Sequence, residues 1–108
     1  MFFGLLGSGL LESAYEECLC YELSQRGIEF LRQVSLRVVY KGVRLDRGCR
    51  MDLVIERSVV VEIKAVERLI AVFDAQLLSY LRMSGKPIGL LINFHVPVLK
   101  NGIKRIRN

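Results

Sequence analysis

Histidine is nearly absent from this chain of 108 residues, and cysteine is present in an odd number. The one histidine, His95, follows the last apolar run, and no Ser-His-Asp or Cys-His arrangement can be assembled around it from order or spacing. Three cysteines argue against a disulfide framework and for a reducing, cytoplasmic setting. Cys18 and Cys20 lie two apart on a predicted helix and so face different directions. Cys49 stands alone, which leaves no zinc-binding pattern. No apolar run approaches the roughly 20 residues that a membrane-spanning helix needs. The apolar opening Met1–Leu6 lacks the basic start of a signal peptide and reads as a remnant of an upstream helix. Internal repeats and low-complexity stretches are also missing.

Acids are the minority charge. Eleven Asp and Glu face sixteen Lys and Arg, for a net charge of +5 and a pI near 9.4, which favours an anionic partner, nucleic acid first. The apolar content of 52% and charged content of 25% are those of a globular protein. The length predicts one domain over residues 1–108.

The chain then reads as a mixed series of elements. Gly7-Ser8-Gly9 is a breaker, and a helix is predicted from Leu10 to Gln25, ending before Gly27. Its core stripe is Leu11, Ala14, Tyr15, Cys18, Leu19 and Leu23. Glu12 lies beside that stripe, whereas Glu16 and Glu17 read as solvated. Glu12 and Glu16 also suit the first half of a helix through its dipole. Val34–Tyr40 alternates as a strand, and the turn Lys41-Gly42 leads to Val43-Arg44-Leu45. Two further strands follow, Asp52–Ile55 and Val59–Lys64. A second helix runs from Val66 or Phe73 to Met83, closed by Ser84-Gly85. Ile88–Phe94 is a continuous apolar run suited to a buried strand. Because it arrives through a helical crossover, it should lie parallel to an earlier strand. The basic tail Lys100–Arg107 reads as a solvated end or a phosphate-contacting arm. The order α-β-β-β-α-β predicts an α/β fold, a mixed sheet flanked by helices.

One constellation stands out against these apolar strands. Side chains alternate along a strand, so Glu62 and Lys64 share a face while Val61 and Ile63 take the other. If Glu56-Arg57-Ser58 is a turn centred on Arg57, Asp52 falls directly opposite Glu62, with Cβ atoms about 4.5–5.5 Å apart. A slip of one residue would send Asp52 to the other face. Two carboxylates and an ammonium on one face can hold a divalent metal beside a phosphate. A lone Glu-x-Lys is otherwise an ordinary surface ion pair.

Asp52 followed by Glu62-Ile63-Lys64, in this order of elements, resembles the PD-(D/E)XK nuclease superfamily with its restriction-endonuclease-like core. Gly9-Leu10-Leu11-Glu12-Ser13-Ala14-Tyr15 is similar to the motif that names the GxxExxY family of small bacterial proteins. Gln76-Leu77-Leu78-Ser79-Tyr80 resembles the QxxxY motif of RecB-like exonucleases. Leu90–Phe94 and Lys100–Arg105 also resemble the GxxExxY pattern.

The resemblance implies a nuclease that hydrolyses phosphodiester bonds with Mg²⁺ or Mn²⁺, DNA in preference to RNA. It implies Asp52, Glu62 and the carbonyl of Ile63 as metal ligands, with Glu12 bound directly or through water. Lys64 would orient or help deprotonate the attacking water, and Gln76 and Tyr80 would brace Lys64 and the phosphate. Tyr80 also suits a partly buried core position. A small surface beside the site makes a homodimer or a partner protein plausible. The alternative is a nucleic-acid-binding or assembly module on the same fold without efficient turnover.

Overall fold

The computed structural model describes residues 12–44 and 49–108. The expected Met1–Leu6 remnant, the expected breaker Gly7-Ser8-Gly9, the expected helix start at Leu10 and Leu11, and the stretch Leu45–Gly48 lie outside them.

Helix α1 spans Glu12–Gln25 and is followed by strand β1, Phe30–Ser35. Two short strands, β2 (Val39–Tyr40) and β3 (Val43–Arg44), pair only with each other. Strands β4 (Arg50–Ile55) and β5 (Val59–Lys64) form the predicted hairpin. Helix α2 (Ala71–Ser84) leads to β6 (Ile88–Asn93), and a 3-10 turn, Leu99–Gly102, leads to β7 (Ile103–Arg107).

The five-stranded sheet has the order β1-β4-β5-β6-β7. All its pairings are antiparallel except β5 with β6, which is parallel as the α2 crossover requires. This is the α/β arrangement of a restriction-endonuclease-like core.

The two helices cover opposite faces. On one, Tyr15, Cys20 and Leu23 of α1 pack on Leu53, Val61, Ile63 and Ile92. On the other, Leu77, Tyr80 and Leu81 of α2 pack on Val54, Val60 and Leu91. Central β5 is therefore buried on both sides, which explains its unbroken apolar run Val59-Val60-Val61. Helix α2 stops where Gly85 takes a left-handed φ of 72° and its N–H bonds the Leu81 carbonyl.

Three expectations change. The first strand of the sheet is Phe30–Ser35 rather than Val34–Tyr40, because the alternating stretch turns out of the sheet into the β2–β3 ribbon. The basic tail is a strand, β7, paired along β6. The buried stripe of α1 is rotated to Tyr15, Glu16, Cys20 and Leu23.

Candidate active site

The β4–β5 turn sets the register. Glu56 and Arg57 both have positive φ, 51° and 60°, and Ser58 N–H bonds the Ile55 carbonyl at 3.0 Å, the signature of a primed hairpin turn. With Ser58 as the third connecting residue, Leu53 faces Val61, Val54 faces Val60 and Ile55 faces Val59. Continuing that register puts Asp52 opposite Glu62.

At this point the ladder ends and the strands part. Asp52 N–H donates to Glu62 Oε1 at 3.2 Å, and Ile63 N–H donates to Asp52 Oδ2 at 2.8 Å. Each acid thus satisfies a backbone donor of the opposite strand that the ladder leaves unpaired. On the other side of Asp52 lies Gln33 of β1, flanked by the pairs Arg32↔Leu53 and Val34↔Met51. Gln33 has a φ of 49°, a region few non-glycine residues occupy. Met51 packs on the α2 side and Leu53 on the α1 side, although residues two apart share a face in a regular strand. Strand β4 therefore rolls over at Asp52, and the carboxylate sits at the roll.

Burial raises the pKa of both acids. For Glu62, only 6% exposed, burial and then the Asp52 charge push it up to about 8. The Ile63 N–H works against the rise in Asp52, and the Lys64 charge opposes it in both acids. The pair consequently shares a proton near neutrality unless a cation replaces it.

The α2 side adds a second wall. Lys64 Nζ lies 4.6 Å from the centroid of the Phe73 ring, a contact that fixes the ammonium on this face. Tyr80 is buried, and its Oη accepts a bond from Gln76 Nε2 at 2.9 Å. Burial, then the nearby Glu62 charge, raise the Tyr80 pKa, so it is a neutral phenol with its own proton available to donate. Gln76 and Tyr80 are one helical turn apart, which is why they meet.

The α1 side departs from the sequence expectation. Glu12 opens α1 as an exposed residue, whereas Glu16, read as solvated, is only 7% exposed. Arg32 Nε and Nη2 both donate to Glu16 Oε2, at 3.0 and 2.8 Å, and Gln33 Nε2 donates to Oε1 at 2.9 Å. Charge-assisted bonds from Arg32 are what permit a helix carboxylate to be buried. Gln33 also lowers the Asp52 pKa, so the residue that bonds α1 acts on the fork as well. Arg32, Gln33 and Glu16 carry no local motif that would have revealed them. Among the described residues, no group of three or more His, Cys, Asp or Glu side chains is close enough to hold a metal. The three-carboxylate version of the site is thus not assembled around Glu12.

One more residue went unassigned. Asn93 is buried at the end of β6, opposite Lys64 in the parallel ladder. Its Oδ1 accepts from Val66 N–H at 3.0 Å and its Nδ2 donates to the Val66 carbonyl at 2.8 Å. That clasp fixes the chain two residues beyond Lys64, where β5 leaves the sheet. Next to it, Phe94 stacks on Tyr15 with ring centroids 4.9 Å apart, locking α1 to the end of β6.

A sheet fork carrying Asp-(x)n-Glu-x-Lys between two covering helices defines a class, and the sequence comparison agrees with it. The family model of the PD-(D/E)XK nuclease superfamily matches residues 2–106, and the chain belongs to that superfamily. No curated protein and no solved structure matches the chain. Nucleases of this superfamily generally use divalent metals. Among the described residues, no helix is long and apolar enough to cross a membrane.

Proposed function

We propose that the fork is the active site of a phosphodiesterase acting on nucleic acid, DNA in preference to RNA, with Mg²⁺ or Mn²⁺ as cofactor. The observation that carries this reading is the opposition of half-buried Asp52 and buried Glu62 beside Lys64, with the Glu62 pKa pushed up to about 8. Desolvated carboxylates that repel each other fit a hard divalent cation, which takes oxygen donors and removes the cost of ionising both. Asp52, Glu62 and the Ile63 carbonyl would hold it. When bound, the metal supplies Lewis acidity at a non-bridging phosphate oxygen and a more acidic water.

The protein's own groups do the rest. Lys64 offsets phosphate charge and orients the attacking water. Gln76 and Tyr80 brace the phosphate from α2, the neutral phenol as a donor. Asn93 and Phe73 keep Lys64 in place. Placement in the GxxExxY group is supported by the meeting of its Gly9–Tyr15 and Leu90–Phe94 motifs in the stack of Tyr15 on Phe94.

The test is cleavage of single-stranded, double-stranded and branched DNA and of RNA, with Mg²⁺, Mn²⁺ or EDTA. Metal-dependent cleavage should fall by at least ~100-fold in Asp52→Asn and in Lys64→Ala, both folded. A second reading, a binding or assembly module without turnover, is favoured by one fact: each acid already holds an opposing backbone N–H. Nucleic-acid binding without cleavage under either metal would decide for it.

A further inference from the structure

The β2–β3 ribbon is unexplained by the fold. It is a two-stranded sheet of its own, and Val39, Tyr40 and Val43 are 55%, 60% and 58% exposed. Isolated two-stranded ribbons are marginal in water, and three exposed apolar residues on four paired positions are an unusual load for a free surface. The pairings Tyr40↔Val43 and Val39↔Arg44 put the tyrosine and Val43 on one face. The turn between them, Lys41-Gly42, has φ values of 50° and 79°, the primed type that keeps a short ribbon tight. Lys41 Nζ lies 5.4 Å from the Tyr40 ring centroid.

Its place in the chain matters as much as its composition. The ribbon is inserted between Ser35 and Arg50, which pair across β1 and β4, and Asp52 is two residues farther on. It therefore leaves the sheet at the end where the fork opens. Charge points the same way. From residue 36 to residue 50 the sequence carries Arg37, Lys41, Arg44, Arg47 and Arg50 against one acid, Asp46.

We infer that the β2–β3 ribbon is the substrate-holding arm of the site, binding single-stranded nucleic acid by stacking an unpaired base on Tyr40, with Arg37 and Lys41 on the adjoining phosphates. An aromatic among aliphatic neighbours accepts the face of any base, and flanking cations track the backbone. A protein partner of ordinary composition would match the apolar face but not the surplus of five cations over one acid. The inference rests on the nucleic-acid reading of the fork for its substrate class, but not on turnover.

Binding can be read apart from cleavage. Fluorescence anisotropy of a labelled single-stranded oligonucleotide and of its duplex, in EDTA, is compared for the full chain and for Tyr40→Ala, Tyr40→Phe and Lys41→Ala. Circular dichroism checks that each variant is folded. Stacking predicts that Tyr40→Ala weakens single-strand binding about tenfold, that Tyr40→Phe keeps it, and that duplex binding changes less. If the protein cleaves, Tyr40→Ala should raise KM and leave kcat unchanged. Wild-type binding that Tyr40→Ala leaves intact overturns the arm, as does an equal loss in Tyr40→Phe or no single-strand binding at all. A monomer–dimer shift in Tyr40→Ala at unchanged affinity would make the ribbon a protein interface and also overturn it. Binding that follows the Tyr40 pattern without any cleavage leaves the arm standing and sinks the nuclease reading alone.

Discussion

Glu62 is the residue on which the proposed chemistry and the stability of this protein meet. Its carboxyl titrates near 8 in the folded chain against an ordinary 4.5, so between those values the native state holds a proton that the unfolded chain has released. Stability from this group is complete below about 4.5 and is lost as pH rises through about 8. The metal-free protein should therefore melt at progressively lower temperature from pH 5 to pH 8.5, and Glu62→Gln should flatten that trend. Mg²⁺ should raise the melting temperature more at pH 8.5 than at pH 5, since it favours the ionised pair. A metal effect that is the same at both values would contradict the assignment of Glu62 as a ligand. Of this site, the facing of Asp52 and Glu62 was legible because strand alternation and an odd-length turn are local. The burial of Glu16 was not, since it depends on Arg32 and Gln33, sixteen and seventeen residues away. Asn93 is a similar case: an amide at the end of an apolar run shows nothing of the loop it will clasp.

At the scale of elements, the same division holds. The β4–β5 hairpin, α2 with its Gly85 stop, and the parallel β6 follow from periodicity and turn residues. The edges of the sheet do not. Strand β1 is irregular at Gln33, and β7 is mostly exposed, with the pattern Ile-Lys-Arg-Ile-Arg, so neither shows the alternation of a half-buried strand. The 3-10 turn before β7 carries a packing constraint that can be tested. A Cβ on Gly102 would lie 2.1 Å from the Asn93 carbonyl oxygen, a backbone atom, and 3.0 Å from Val96 Cγ2. A Cβ on Gly89 would meet only the Leu77 side chain, at 2.8 Å. Gly102→Ala should thus be the costlier change, at about 3 kcal/mol or more by urea denaturation, with Gly89→Ala at about 1–3 kcal/mol. Because Asn93 clasps Val66, Gly102→Ala should also impair cleavage, whereas equal costs for the two variants would argue against a rigid β6 end.

Across the whole molecule, charge is separated along the chain. Residues 12–29 carry Glu12, Glu16, Glu17, Glu22 and Glu29 against Arg26 alone. Residues 82–108 carry Arg82, Lys86, Lys100, Lys104, Arg105 and Arg107 with no acid. The first set lies on or just beyond α1, the second runs from the end of α2 to edge strand β7, where Lys104 also pairs with Asp74 of α2. A polyanion should therefore approach from the α2 and β7 side, the side of Lys64 and Tyr80, and be repelled by α1. Binding should weaken steeply with salt, and Arg82→Glu with Lys104→Glu, on the α2 face, should lower the salt slope by about 0.7 for each single-strand phosphate that is no longer neutralised. Glu22→Lys on α1 should not weaken binding. A loss as large in Glu22→Lys as in the Arg82 and Lys104 variants would remove this polarity.

The fork itself has a bearing on how such a protein can change over generations. Asp52 and Glu62 each close a backbone donor that would otherwise be left bare where β4 and β5 separate, so selection for folding would preserve them whether or not the proposed hydrolysis is kept. Lys64, whose ammonium rests on Phe73 and ties no strands together, has no such protection. Drift at Lys64 with both acids intact is the mark that retirement from catalysis would leave in a lineage.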